Sequence, residues 1–229
     1  MNILAIDTSA LTATAAVLSG DTLLGEISTA TALTHSQTIM PMIDELLKKI
    51  NMDIADIDTF ACSVGPGSFT GLRIGIGTIK GLAYGLGKPV IGVSTLEALA
   101  HNIAFTDCII SPIMDARRGQ VYNALYRYSG GKLECVEPPR ALSVEELCSS
   151  LTEKTVFTGD GVRVHREKIM QFLGEKALFA PPHHAAQRAG SVAYAALDKE
   201  VVDAASLTAV YLRKPQAERE REEKMQSGQ

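Results

Sequence analysis

The strongest constraint on this chain is an apolar strand pattern that passes through a glycine turn into a long helix. Ile57 to Val64 (IDTFACSV) is a short apolar run, Gly65-Pro66-Gly67-Ser68-Phe69-Thr70-Gly71 is a cluster of turn formers, and a helical stretch continues to about Leu86. Strand, glycine loop and helix in that order form the repeating unit of α/β proteins. The unit recurs: Pro89 to Val93 and Cys108 to Met114 read as further strands, with a helix near Leu96 to Ala104 between them.

The long helix carries Gly71, Gly75, Gly77, Gly81 and Gly85. Each glycine costs about 1 kcal/mol relative to alanine in a helix interior, so local propensity does not explain five of them. Close packing does. On a helical wheel Gly71, Gly75, Gly81 and Gly85 gather with Ile74, Thr78 and Leu82, while Leu72, Ile76, Ile79, Ala83 and Leu86 form a separate apolar stripe. Two faces imply two neighbours: the chain's own sheet, and either a second element of this chain or another subunit. The expectation is that the glycine face packs inside the core and the Ile76 stripe meets a partner.

Upstream, Asn2 to Asp7, Thr12 to Leu18 and Asp21 to Ser28 read as three strands, followed by a helix over Ser36 to Ile50 with Ser36 as N-cap. Pro41 lies inside that helix, so a kinked first turn or a start near Pro41 is expected. Beyond Ala104 the pattern restarts, with strands at Val121 to Tyr128, Leu133 to Val136 and Thr155 to Thr158, and helices from Ser143 to about Leu151, Val164 to Leu173 and Gln187 to Lys199. Two α/β lobes follow, 1–104 and 105–204 with a boundary near Phe105, then a segment 205–229 whose charged tail from Arg213 reads as a frayed helix or disordered.

A net charge of -4 over 229 residues and a pI near 5.8 argue against unaided nucleic-acid binding, which needs clustered Lys and Arg to neutralise phosphates. Any RNA is expected to be held by a partner. Cys62, Cys108, Cys135 and Cys148 form no CxxC pair and no signal-peptide pattern follows Met1, which reads as a reduced, cytoplasmic protein. No apolar run approaches the ~18 residues that span a bilayer.

Three features can carry chemistry. Asp7-Thr8-Ser9 ends the first strand, where a carboxylate and two hydroxyls either hold a nucleotide phosphate with Mg²⁺ or simply close a hairpin. GPGSFTGLR (Gly65 to Arg73) either docks an anion at a helix N-terminus or serves as a tight turn; with Leu72 after Gly71 it is no Walker A loop. Asp115-Ala116-Arg117-Arg118-Gly119 joins two strands, and its arginines either grip a phosphate or lie solvated. His35, His101, His165, His183 and His184 form neither HExxH nor an i, i+4 pair, so no dedicated metal site is expected.

GPGSFTGLRIGIGTIKGLAYGL, taken with LAIDTS, His35-Ser36, VIGVSTLEALA, MDARRGQVY, TGDG and the closing YLR, resembles the TsaB (YeaZ) family over nearly the whole chain. The resemblance implies an α/β fold of two actin-like (ASKHA, ribonuclease H-like) lobes with mixed sheets flanked by helices. It implies a non-catalytic scaffold or activator: the paralogue TsaD transfers threonylcarbamoyl to the adenosine beside the anticodon of tRNA, and this protein binds TsaD, with the ATPase TsaE joining the complex. By eye, Thr95 and Leu99 stand where TsaD carries its HxxxH metal histidines, and Thr158-Gly159-Asp160-Gly161 lacks TsaD's fuller adenosine loop. No cofactor is therefore expected, with Asp7, Thr8 and Ser9 the weak candidates. The expected partner interface is His35, Met40, Leu72, Arg73, Ile76, Ile79, Lys80 and Ala83. A homodimer is expected in the partner's absence, tRNA contact only indirectly, and no membrane role. The rival reading is an ATP-dependent phosphotransferase or ATPase that uses Asp7 and Thr8.

Overall fold

β1 (Asn2–Asp7) points Ile3 and Ala5 to one side and Leu4 and Ile6 to the other, and all four are buried. A strand covered on both faces belongs at the middle of a layered sheet. The structure, a computed structural model, describes residues 1–31, 33–104 and 106–213. The expected boundary residue Phe105 and the charged tail beyond residue 213 lie outside the described residues.

β1 is followed by β2 (Ala13–Ser19) and β3 (Thr22–Thr29), then α1 (His35–Lys49), β4 (Thr59–Gly65), α2 (Phe69–Leu86) and β5 (Val90–Ser94). The first sheet runs β3-β2-β1-β4-β5, with β1 antiparallel to β2 and parallel to β4. α1 runs through Pro41 without interruption, and its N-cap is Thr34 rather than Ser36, because Gln37 reaches back to accept from the Thr34 amide at 3.3 Å.

α3 (Thr95–Ala100) leads to the second lobe: β6 (Ile109–Asp115), β7 (Gln120–Ser129), β8 (Lys132–Ser143), α4 (Val144–Ser150), β9 (Thr155–Thr158), α5 (Gly161–Leu173) and β10 (Ala177–Phe179). Its sheet runs β10-β9-β6-β7-β8. β8 continues well past Val136, through Pro138 and Pro139, because it is an edge strand; register shifts around Leu125 absorb the missing donors. The class and the mixed five-stranded sheets with flanking helices agree with the expected two-lobed α/β fold.

The lobe boundaries need a correction. After α6 (Pro182–Ala185), the helix α7 (Ala189–Ala196) returns to the first lobe, where Val192 and Ala193 pack with Ile3, Ala5 and Val93. On the opposite face of that sheet Leu4, Ile6 and Phe60 pack against Ile39 and Ile43 of α1 and Ile76 and Ile79 of α2. Residues from 189 onward therefore complete the first sheet sandwich, and the range 105–204 is not one lobe. α3 lies between the lobes, where Leu96, Leu99 and Ala100 pack with Ala10 on one side and Ile110, Met114 and Tyr126 on the other.

Candidate functional site

The turn after β1 sits beneath the start of α2, and the two are locked together. Asp7 is fully buried; its Oδ1 accepts from the Ser9 amide at 2.7 Å and its Oδ2 from the Ser63 hydroxyl at 2.5 Å. Burial pushes the Asp7 carboxyl above the usual range, opposed by the hydrogen bonds from Ser63 and Ser9. Thr8 Oγ1 donates to the Gly71 carbonyl at 2.8 Å, and the Ser68 amide donates to the Ser9 carbonyl at 2.7 Å. Ser68 caps α2, its Oγ accepting from the Gly71 amide at 3.2 Å.

Three glycines make this approach possible. A Cβ on Gly67 would lie 2.6 Å from the Ser9 carbonyl oxygen; one on Gly71 would overlap the Thr8 carbonyl, and one on Gly75 the Thr8 hydroxyl. The space beside Asp7 and Thr8 is filled by α2 itself. Of the two readings of Asp7-Thr8-Ser9, the hairpin closure accounts for the bonds these residues make, with α2 as the element they hold.

Above this junction the lobes enclose a cleft of about 610 Å³, lined by Ser9, Leu11, Phe69, Thr70, Asp115, Arg117, Tyr122 and Asp160 among others. Asp115 Oδ1 accepts from the Arg117 amide at 3.0 Å and meets His165 Nε2 at 3.2 Å. Asp160 is exposed on the cleft wall, yet the protein crowding its carboxyl, and then the charge of Asp115, push it up to about 6. A proton is thus held more tightly folded than unfolded, so the contribution is full below the ordinary carboxylate range and is lost as pH rises through about 6. Asp160→Asn, which removes the titrating proton at nearly constant side-chain size, is expected to raise Tm at pH 7.5 by about 2 °C, solvent screening holding the gain small. The gain should vanish below about pH 4. Melting curves across pH check this, and a gain that persists in acid would refute it.

The expected partner residues separate sharply. Leu72, Ile76, Ile79 and Ala83 are 1%, 8%, 0% and 0% exposed and face this chain's own core, so they cannot form an intersubunit surface. His35 Nε2 bonds the Ala10 carbonyl at 2.7 Å, and Lys80 Nζ donates to the Ala205 carbonyl at 3.0 Å. Arg73 donates from Nε to the Tyr211 hydroxyl at 3.4 Å, and Met40 stands exposed on α1. The open face of α2 is the other one: Gly77, Gly81 and Gly85 have nothing within 4 Å of where a Cβ would be, and Tyr84 beside them is 86% exposed. The apolar stripe of the helical wheel is thus the core face rather than the partner face, and the glycine group divides: Gly71 and Gly75 pack against Thr8, as expected of core glycines, whereas Gly81 and Gly85 lie open.

A segment that sequence reading left without a role closes the site. From Val202, which pairs with Val90, the chain runs back along α2: Leu207 enters the core, the Val210 amide donates to Val64 at 2.7 Å, and Tyr211 lies 5.2 Å from the Phe69 ring. Arg213 Nη1 then reaches the Ala116 carbonyl of the second lobe at 3.4 Å. The YLR at its end was the only signal for it.

A family model described as "TsaD: tRNA N6-adenosine threonylcarbamoyltransferase" matches residues 25–220. The chain is 39% identical to the tRNA threonylcarbamoyladenosine biosynthesis protein TsaB of Bacillus subtilis, over 95% of this chain and 96% of that one. It is 36% identical to TsaB of Escherichia coli over 70% of this chain and 72% of that one. Among solved structures, YeaZ from Pseudomonas aeruginosa aligns with a TM-score of 0.79 at 27% identity, covering 92% of this chain and 99% of that chain. Identity of this order, sustained along nearly the full length and matched by the fold, places the chain in the TsaB (YeaZ) family.

Proposed function

We propose that this protein is a non-catalytic subunit of the machinery that makes threonylcarbamoyladenosine in tRNA, working in the cytoplasm as a scaffold for TsaD. The names of its relatives and the TsaD family match support a role in that modification. The observation that carries the scaffold reading is the junction at Asp7 and Thr8, whose polar atoms are engaged with Ser9, Ser63 and Gly71 and against which the start of α2 is closely packed. That arrangement disfavours the phosphotransferase reading. Supporting it further, Leu99, a residue that cannot ligate metal, is packed between the lobes.

The docking face in this reading is the outer side of α1 and α2, with Met40, Gly77, Gly81 and Tyr84 at its centre. Exposed helix glycines with no neighbour of their own destabilise the free chain, and close approach of a second helix accounts for them. The same face supports a homodimer when TsaD is absent, and TsaE joins through the complex. The subunit itself needs no cofactor or metal.

Reconstitution tests the reading. With TsaD, TsaE, the adenylate-forming enzyme and tRNA present, omission of this protein should abolish modification, measured by mass spectrometry of digested nucleosides. Full modification without it would refute the scaffold role.

A further inference from the structure

A second cavity, of about 480 Å³, has walls from both lobes: Tyr194 of α7 on one side, Tyr128 of β7 and the turn Gly130-Gly131 on the other, with His101 after α3 and Asp107 before β6 between them. The His101 and Tyr194 rings meet edge to face, 5.3 Å apart. Tyr194 is exposed, so one aromatic wall is open to an incoming ligand.

His101 Nδ1 is buried and has no hydrogen-bond partner. An unpaired buried ring nitrogen is a standing cost to the fold, which a donor from outside the chain relieves. Burial pushes the imidazole below its usual value, against the opposing charge of Glu97, so the ring is neutral at neutral pH. With its proton on Nε2, the neutral ring offers Nδ1 as an acceptor. The surroundings are negative. Glu97 is paired with Lys199 at 2.8 Å, whereas Asp107 on the cavity wall and Asp198 near His101 have no cation among the described residues.

We propose that this cavity binds a primary alkylammonium group, whose N–H donors go to His101 Nδ1 and the Asp107 carboxylate while its stem lies along the Tyr128 and Tyr194 rings. Aromatic rings, a carboxylate and a neutral nitrogen acceptor together are the chemistry that holds an organic cation. Unpaired carboxylates repel an anion, and a purely apolar ligand leaves Nδ1 without its bond. Among the described residues no three His, Cys, Asp or Glu side chains gather to hold a metal ion, which leaves an organic cation as the fitting charge. Since Tyr194 belongs to the first lobe and Tyr128 to the second, an occupant also ties the lobes together. The site uses none of the residues of the outer face of α1 and α2, so it stands apart from the scaffold reading.

The test labels the rings of the six tyrosines and follows them by NMR while the chain is titrated with n-butylammonium, with its neutral analogue n-butanol, and with Nα-acetyl-lysinamide. The cation should shift Tyr128 and Tyr194 saturably, and the alcohol should not. The lysinamide distinguishes the source of the group: tighter binding than n-butylammonium assigns it to a lysine of another protein, weaker binding to a free amine. Asp107→Asn and Tyr194→Leu, both at exposed positions, should melt like the parent and bind the cation roughly fivefold more weakly. Alcohol binding as tight as that of the cation, or variants that bind like the parent, would overturn the proposal, and so would a parent with no saturable shift. Should a variant misfold, the comparison of cation with alcohol on the parent still decides it.

Discussion

Gly81→Leu should leave the protein folded and at least as stable as the parent, while weakening association with TsaD by about thirtyfold or more. Nothing lies within 4 Å of the missing Cβ, so the new side chain meets solvent in the free chain. Leucine is also the better helix former, by close to 1 kcal/mol. At the centre of a helix–helix contact the same side chain holds the two backbones apart, and losing a central contact is worth ~2 kcal/mol. Ile76→Glu is the control with the opposite outcome: at 8% exposed among Leu4, Ile39 and Ile79, a carboxylate there is buried without a partner and the chain unfolds. Sedimentation and melting curves on the two variants read both effects. If Gly81→Leu associates like the parent, the outer face of α2 is not the docking surface.

Gly71→Ala should be severely destabilising although it adds one methyl group. The new carbon would overlap the Thr8 carbonyl, a backbone atom that cannot turn aside, and relief requires α2 to slide off the strand below it. The movement would also break the bond from Thr8 Oγ1 to the Gly71 carbonyl. A loss of about 3 kcal/mol is expected, which for a chain of this size lowers Tm by roughly 6–12 °C. The identical change at Gly77, where the space is open, should raise Tm by about 2–4 °C. One helix would then respond to one substitution with opposite signs, and equal responses would contradict the packing described here.

Much of the first lobe was legible because its signals are local. Alternation along NILAID, the turn formers of GPGS and the apolar period of the long helix each specify an element from its own residues. The assignment of α2's two faces was not local. Both faces carry small residues, and which of them meets the sheet depends on Thr8, over sixty positions away. The return of α7 to the first sheet was hidden for the same reason: an alanine-rich helix fits either lobe, and Arg188 fixes the choice by pairing with Glu26 of β3 at 2.6 Å. At the candidate site, Asp7-Thr8-Ser9 was visible as a polar cluster, but its bonds to Ser63 and Gly71 were beyond sequence reading. The closing segment was likewise hidden, since Arg73 reaches Tyr211 and Arg213 reaches Ala116 through tertiary structure alone.

The return of residues 189–213 to the first lobe also orders events on the ribosome. The second lobe, from β6 to β10, is contiguous and pairs mostly with itself, so it can form as soon as it clears the exit tunnel. The first lobe starts earlier but waits longest. Until Val192, Ala193 and Leu207 emerge, one face of β1 lacks its covering helix and the sheet edge at β5 lacks Val202. The half of the protein proposed to dock TsaD is therefore the last to be completed during synthesis, and a nascent chain halted before residue 189 would present a finished second lobe beside an uncovered sheet.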